Sequence, residues 1–215
     1  MFKSMLKKEC VELAAPFLLA MGSFVFLLLD HVTTARRLMY PQGEWMINDN
    51  FAYLFLFISL ALAVAMGLVQ SLSEDVQGTW RYVLALPGGW RRIIKLKFAT
   101  ALVVWVAWGV LAFLFCLLGL MFDIGPPGES LIKLTEPMLR TFICVPVVYL
   151  GAFLSAVRRA NWLFSRLMPL GGVLMCWYLI LLLQNWWVLA PLATVALGAA
   201  LVGIIFHVAA SRDFA

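Results

Sequence analysis

Apolar and polar stretches alternate along the chain, with long apolar runs at about 13–29, 51–69, 98–122, 138–157, 167–183 and 186–209. Each run is close to the ~20 residues that carry a helix across ~30 Å of hydrocarbon. The pattern therefore predicts an all-α polytopic membrane protein with six transmembrane helices in a single domain over residues 1–215. Residues 1–12 follow a different rule. Phe2, Met5, Leu6 and Cys10 share one helical face and Lys3, Lys7 and Lys8 the other, as in a short helix lying in the membrane interface. The run at 13–29 exceeds the roughly 7–15 residues of a signal-peptide core, and no small-residue cleavage site follows it, so it reads as the first span.

Turn and cap residues divide the runs. Asn48-Asp49-Asn50 can cap the second span. Pro126-Pro127-Gly128 ends the third, and Thr135 with Pro137 supplies the start of the fourth. Gln184-Asn185 makes a tight turn between the fifth and sixth. Pro16, Pro146 and Pro169 fall inside spans, where a missing N–H permits a bend.

The segment joining spans two and three, residues 71–97, departs from the rest. From Ser71 to Phe98 seven of 28 residues are charged: Glu74, Asp75, Arg81, Arg91, Arg92, Lys95 and Lys97. A link that only reversed the chain would need about 2–8 residues. Trp80, Leu84 and Pro87 fall on one face at helical spacing, and Gly78 allows a bend or a close approach. An amphipathic segment of this kind can lay its apolar side in a partner's groove. It can also rest on the inner leaflet, its basic residues drawn to anionic lipid.

Composition supports the membrane reading. Of 215 residues, 64% are hydrophobic and 13% charged, against about 25% charged in a soluble domain. The net charge of +5 reflects basic residues at span ends, not a nucleic-acid surface. With the amino terminus inside, twelve of the sixteen Lys and Arg lie on inner segments and four on outer ones. Both termini and the 71–97 connector are then cytoplasmic. The four cysteines share no close spacing, and neither a disulfide framework nor a metal site is expected.

No Asp, Glu, Lys or Arg is expected well inside a span, which argues against an ion- or proton-coupled transporter. No nucleophile–base pair, His-Glu-x-x-His motif or phosphate loop is present in the sequence. The chain is thus expected not to be an enzyme. Energy for any active transport would have to enter from another polypeptide, at the connector. Ser59, Tyr149, Tyr178, Gln184 and Asn185 are the polar residues expected to face a pathway, and each can equally bond a neighbouring helix. Trp105 and Trp108 are expected to pack between helices.

Within the connector, Glu74, Gly78-Thr79, Leu84, Leu86-Pro87, Arg91-Arg92 and Lys97 follow one another. That order resembles the signature of type-2 ATP-binding-cassette (ABC) permeases, and Lys8-Glu9 in the amino-terminal helix resembles the family's interfacial elbow. Gly88-Gly89-Trp90 and the very short outer link after span five depart from its pattern. The resemblance implies a half-transporter in the inner or plasma membrane, paired with a second copy or a homologous permease. Two ABC ATPase subunits would carry ATP and Mg, with no cofactor bound by this chain. It implies an exporter more often than an importer, and the scarcity of polar residues in the spans suits a hydrophobic or amphipathic cargo. The connector residues implied as the ATPase contact are Glu74, Asp75, Gly78, Thr79, Trp80, Leu84, Pro87, Arg91 and Arg92. Trp80 and Leu84 would be groove anchors and Glu74 an acidic contact or cap. Arg91 and Arg92 would touch the partner or lipid head groups. A substrate-capture subunit of a vitamin-type importer and a non-transport membrane scaffold are the two other readings.

Overall fold

The computed structural model describes residues 2–38, 49–76, 89–121, 131–157, 163–182 and 189–211, and all of these but Val145 are helical. The helices are α1 (Phe2–Leu38), α2 (Asp49–Val76), α3 (Gly89–Met121), α4 (Leu131–Cys144), α5 (Pro146–Val157), α6 (Leu163–Leu182) and α7 (Leu189–Ser211). Among the described residues, five segments are long and apolar enough to cross a bilayer: Leu6–Phe26, Tyr53–Ser73, Trp90–Leu114, Met138–Val157 and Leu189–Ser211. A sixth, Phe164–Ile180, is apolar but shorter. The protein is an all-helical chain with the character of a multi-pass membrane protein.

Three boundaries differ from the sequence pattern. The amino-terminal segment 1–12 is not set apart as its own helix: α1 continues from Phe2 through Pro16 to Leu38. No breaker separates Glu12 from Leu13, so the helix propagates. Glu9 and Leu13 turn toward the bundle, and Leu6 and Cys10 are exposed. The connector contracts, since its first six residues extend α2 and its last nine begin α3. Finally, α4 starts at Leu131, ahead of Thr135 and Pro137, and the predicted fourth span is split at Val145.

That split sets the architecture. α5 is the centre of the bundle, buried at every position from Val147 to Val157 except half-buried Leu150. It packs against α2, α6 and α7, while α1 covers α2 and α3. The α2–α5 contact is close because Gly67 has no side chain. A Cβ there would lie 2.6 Å from the Tyr149 carbonyl oxygen and 2.9 Å from the Phe153 nitrogen. Phe24, Phe55 and Trp108 join α1, α2 and α3, with ring centroids 5.4 to 6.2 Å apart. Outward faces carry bare apolar side chains, among them Leu18, Leu19, Leu102, Val103, Phe164 and Met168. Such faces suit lipid, whose chains are as apolar as leucine.

Candidate functional site

Buried positions in α1 recur at Glu9, Leu13, Pro16, Ala20 and Phe24, a spacing of three and four that marks one helical face. In α2 they run Phe55, Ser59, Leu62, Met66, Gln70, and in α3 Trp90, Ile94, Lys97, Ala101, Trp105, Trp108. Apart from the small Ser59, each stripe is apolar except at three interruptions, Glu9, Gln70 and Lys97. The three interruptions meet. Lys97 Nζ donates to Glu9 Oε1 and, at 2.8 Å, to the Gln70 carbonyl oxygen. Gln70 Nε2 lies within hydrogen-bond distance of Glu9 Oε2 (3.1 Å), the Lys97 carbonyl oxygen (3.2 Å) and Thr100 Oγ1 (3.1 Å). The Tyr149 hydroxyl on α5 donates to Gln70 Oε1 at 2.7 Å.

Four helices are therefore tied by one polar knot from which solvent is excluded. Glu9 is 2% exposed, and Gln70 and Lys97 are fully buried. The acid and the base neutralise each other, and the surrounding hydrogen bonds occupy the polar atoms left over. A buried pair needs both conditions. Lys97 is the ninth residue of α3, about 12 Å along the helix from its start at 1.5 Å per residue. The expectation that no Asp, Glu, Lys or Arg lies well inside a span is thus corrected. Glu9 falls within the apolar segment of α1 and Lys97 within that of α3. The hydropathy pattern puts Glu9 in the interfacial segment 1–12 and Lys97 at the end of the 71–97 connector. The helical stripe on which each sits is the signal that finds them.

No family model, curated protein or solved structure matches the chain. Its function is therefore argued from the site.

The other sequence-nominated residues scatter. Ser59 is buried and accepts the Trp108 indole N–H at 2.9 Å, and Tyr149 belongs to the knot. Both are engaged in helix–helix bonds, and Tyr178 is exposed on α6. Gln184 and Asn185 lie outside the described residues, as do Gly78, Thr79, Trp80, Leu84 and Pro87. Glu74 and Asp75 belong to the last turn of α2, and their side chains are outside the description. Arg91 and Arg92 are exposed at the start of α3, and the Arg91 guanidinium sits 5.2 Å from the ring centre of Trp90. Trp90 itself is buried, 5.9 Å from Phe206 on α7. Cys10 and Cys176 are exposed free thiols and Cys144 a buried one. Among the described residues no three His, Cys, Asp or Glu gather to hold a metal.

Two backbone repairs complete the picture. Pro146 has no N–H for the Phe142 carbonyl four residues earlier; the Trp105 indole on α3 donates to that oxygen instead, at 3.0 Å. Beside Pro169, the Leu170 N–H donates to Ser155 Oγ on α5 at 2.8 Å. Neighbouring helices thus satisfy groups that could not stay unpaired in hydrocarbon.

Proposed function

We propose that the chain is the membrane-spanning permease subunit of an ABC transporter, with six spans and with the connector and both termini in the cytoplasm. It pairs with a second permease copy or a homologue, and two separate ATPase subunits dock on the 71–97 connector. The cargo is hydrophobic or amphipathic, and the direction is export.

The observation that supports this reading is the position of the knot. The connector begins just after Gln70, where it extends α2, and ends at Lys97 within α3, and these two residues are hydrogen-bonded to each other. Glu9 and Tyr149 attach α1 and α5 to the same point. A push on the connector would therefore not be absorbed by flexing of two independent helix ends. It would reach four helices together, as a rigid-body switch driven by a cytosolic engine requires. Glu9 and Lys97 are also positions of the family resemblance, so pattern and geometry meet at the same residues. With its charges paired, the knot serves as a fixed joint, with no free carboxylate or amine offered to a coupling ion.

The test is capture of the ATPase. Detergent-solubilised chain carrying an affinity tag should retain an ATPase subunit from its native membrane and stimulate its turnover in proteoliposomes. Leu84→Arg and Glu74→Ala should each weaken that capture by about tenfold or more. Retention and turnover equal to wild type in both variants would remove the connector as the docking site. A scaffold would bind partners without stimulating ATP hydrolysis, and a vitamin-capture subunit would bind its ligand from the outer face.

A further inference from the structure

The break at Val145 lies within a 20-residue apolar segment, Met138–Val157. The halves it separates are held differently. α5 is encased by α2, α6 and α7, whereas α4 turns Leu139 and Ile143 outward. At the break the Val145 N–H keeps the ordinary four-residue bond to Thr141 O at 3.0 Å, whereas the Val148 N–H takes the shorter three-residue step to Val145 O at 2.8 Å. The one carbonyl that Pro146 strands, that of Phe142, is held from outside by the Trp105 indole. The same two side chains stack, with centroids 5.7 Å apart and planes 17° from parallel.

Two apolar grooves flank this stack. One, of about 260 Å³, is lined by Ala63, Phe98, Trp105, Pro146 and Tyr149. The other, of about 490 Å³, is lined by Phe55, Val106, Gly109, Met138 and Phe142. Trp105 borders the first and Phe142 the second, so the stacked pair stands between them. Gly109 lies directly beneath the Phe142 ring, where any Cβ would overlap the ring. The ring therefore rests on bare helix backbone at Gly109.

We infer that the α4–α5 junction is a hinge pivoting at Pro146, and that Trp105 and Phe142 form its latch and the gate between the two grooves. Release breaks that hydrogen bond and that ring stack, both made by the same pair, and parts α4 from α7, where Thr194 Oγ1 donates to Cys144 Sγ at 3.6 Å. The larger groove gives α4 room to move while α5 stays fixed. Opened, the grooves join into one path along α3, apolar throughout and suited to an alkyl chain of a membrane amphiphile. What would pass along it rests on the permease reading; the hinge itself does not.

Cys144, adjacent to Val145, reports on the hinge. It is buried, while Cys10 and Cys176 are exposed and serve as internal references. The purified full chain is exposed to N-ethylmaleimide, and alkylation of each thiol is followed by peptide mass spectrometry. Trp105→Phe keeps the ring and deletes the donor; it should raise the Cys144 rate roughly fivefold, as expected for the net loss of one hydrogen bond, with both references unchanged. Gly109→Ala, which forces Phe142 off the stack, should act in the same direction. Unaltered Cys144 rates in both variants would overturn the latch. Equal acceleration of Cys144, Cys10 and Cys176 would overturn it as well, because Trp105 would then hold the whole fold and not one junction. Neither ATPase nor cargo takes part, so loss of the latch leaves the permease reading standing, and the reverse holds too.

Discussion

Lys97 shows how a single side chain can be both a liability and a joint. Its ammonium is fully buried against Glu9, with the Gln70 carbonyl as a second acceptor. Removing one member of such a pair leaves an uncompensated charge, which typically costs about 3–5 kcal/mol. Lys97→Ala and Glu9→Ala should each destabilise the bundle by that order, measured by denaturant titration in mixed micelles. The joint replacement Glu9→Leu with Lys97→Met should cost far less than the sum, because no orphan charge remains. A sum that simply adds would mean the two charges do not meet. Trp108→Phe is a milder case, losing one bond to Ser59 and about 1 kcal/mol. The knot was half legible. The residue types at 9, 70 and 97 stand out on stripes of buried positions, but which stripes face one another is decided by tertiary packing. Sequence spacing along one helix carries no information about that.

Among the elements, α5 carries the packing and tolerates least. Gly67→Ala would push a methyl group onto the backbone of α5 near Tyr149 and Phe153. Because backbone cannot rotate aside as a side chain does, the helices must part, at about 1–3 kcal/mol. Gly22→Ala on α1 meets nothing within 4 Å; it should stabilise by roughly 0.5–1 kcal/mol through reduced backbone freedom. The contrast between these two substitutions, read by thermal unfolding, checks the α2–α5 approach directly. Helix positions followed from hydropathy because length and apolar content suffice to place a span. The long α1 and the split of Met138–Val157 did not follow, since propagation through Pro16 and interruption at Pro146 depend on whether neighbours can satisfy the freed carbonyl. At Pro146, Trp105 does so, forty-one positions away in sequence. Near Pro169, Ser155→Ala deletes the oxygen that accepts the Leu170 N–H and should cost about 1 kcal/mol.

At the scale of the whole molecule, apolar outer faces enclose a largely apolar core that holds the polar knot, an arrangement suited to a bilayer solvent. On the proposed six-span topology the count of Lys and Arg, twelve inner against four outer, favours a cytoplasmic connector. The knot lies at the end of α2 from which the connector departs, so any force applied there enters the bundle at its stiffest point. The account therefore stands on the side of the membrane that the connector faces. Intact vesicles of known polarity, carrying a chain with a single engineered cysteine at Thr79→Cys, can be treated with a membrane-impermeant maleimide before and after permeabilisation. The account predicts labelling only from the cytoplasmic side. Labelling from the exterior of right-side-out vesicles would put the connector beyond the reach of any cytosolic ATPase and contradict it.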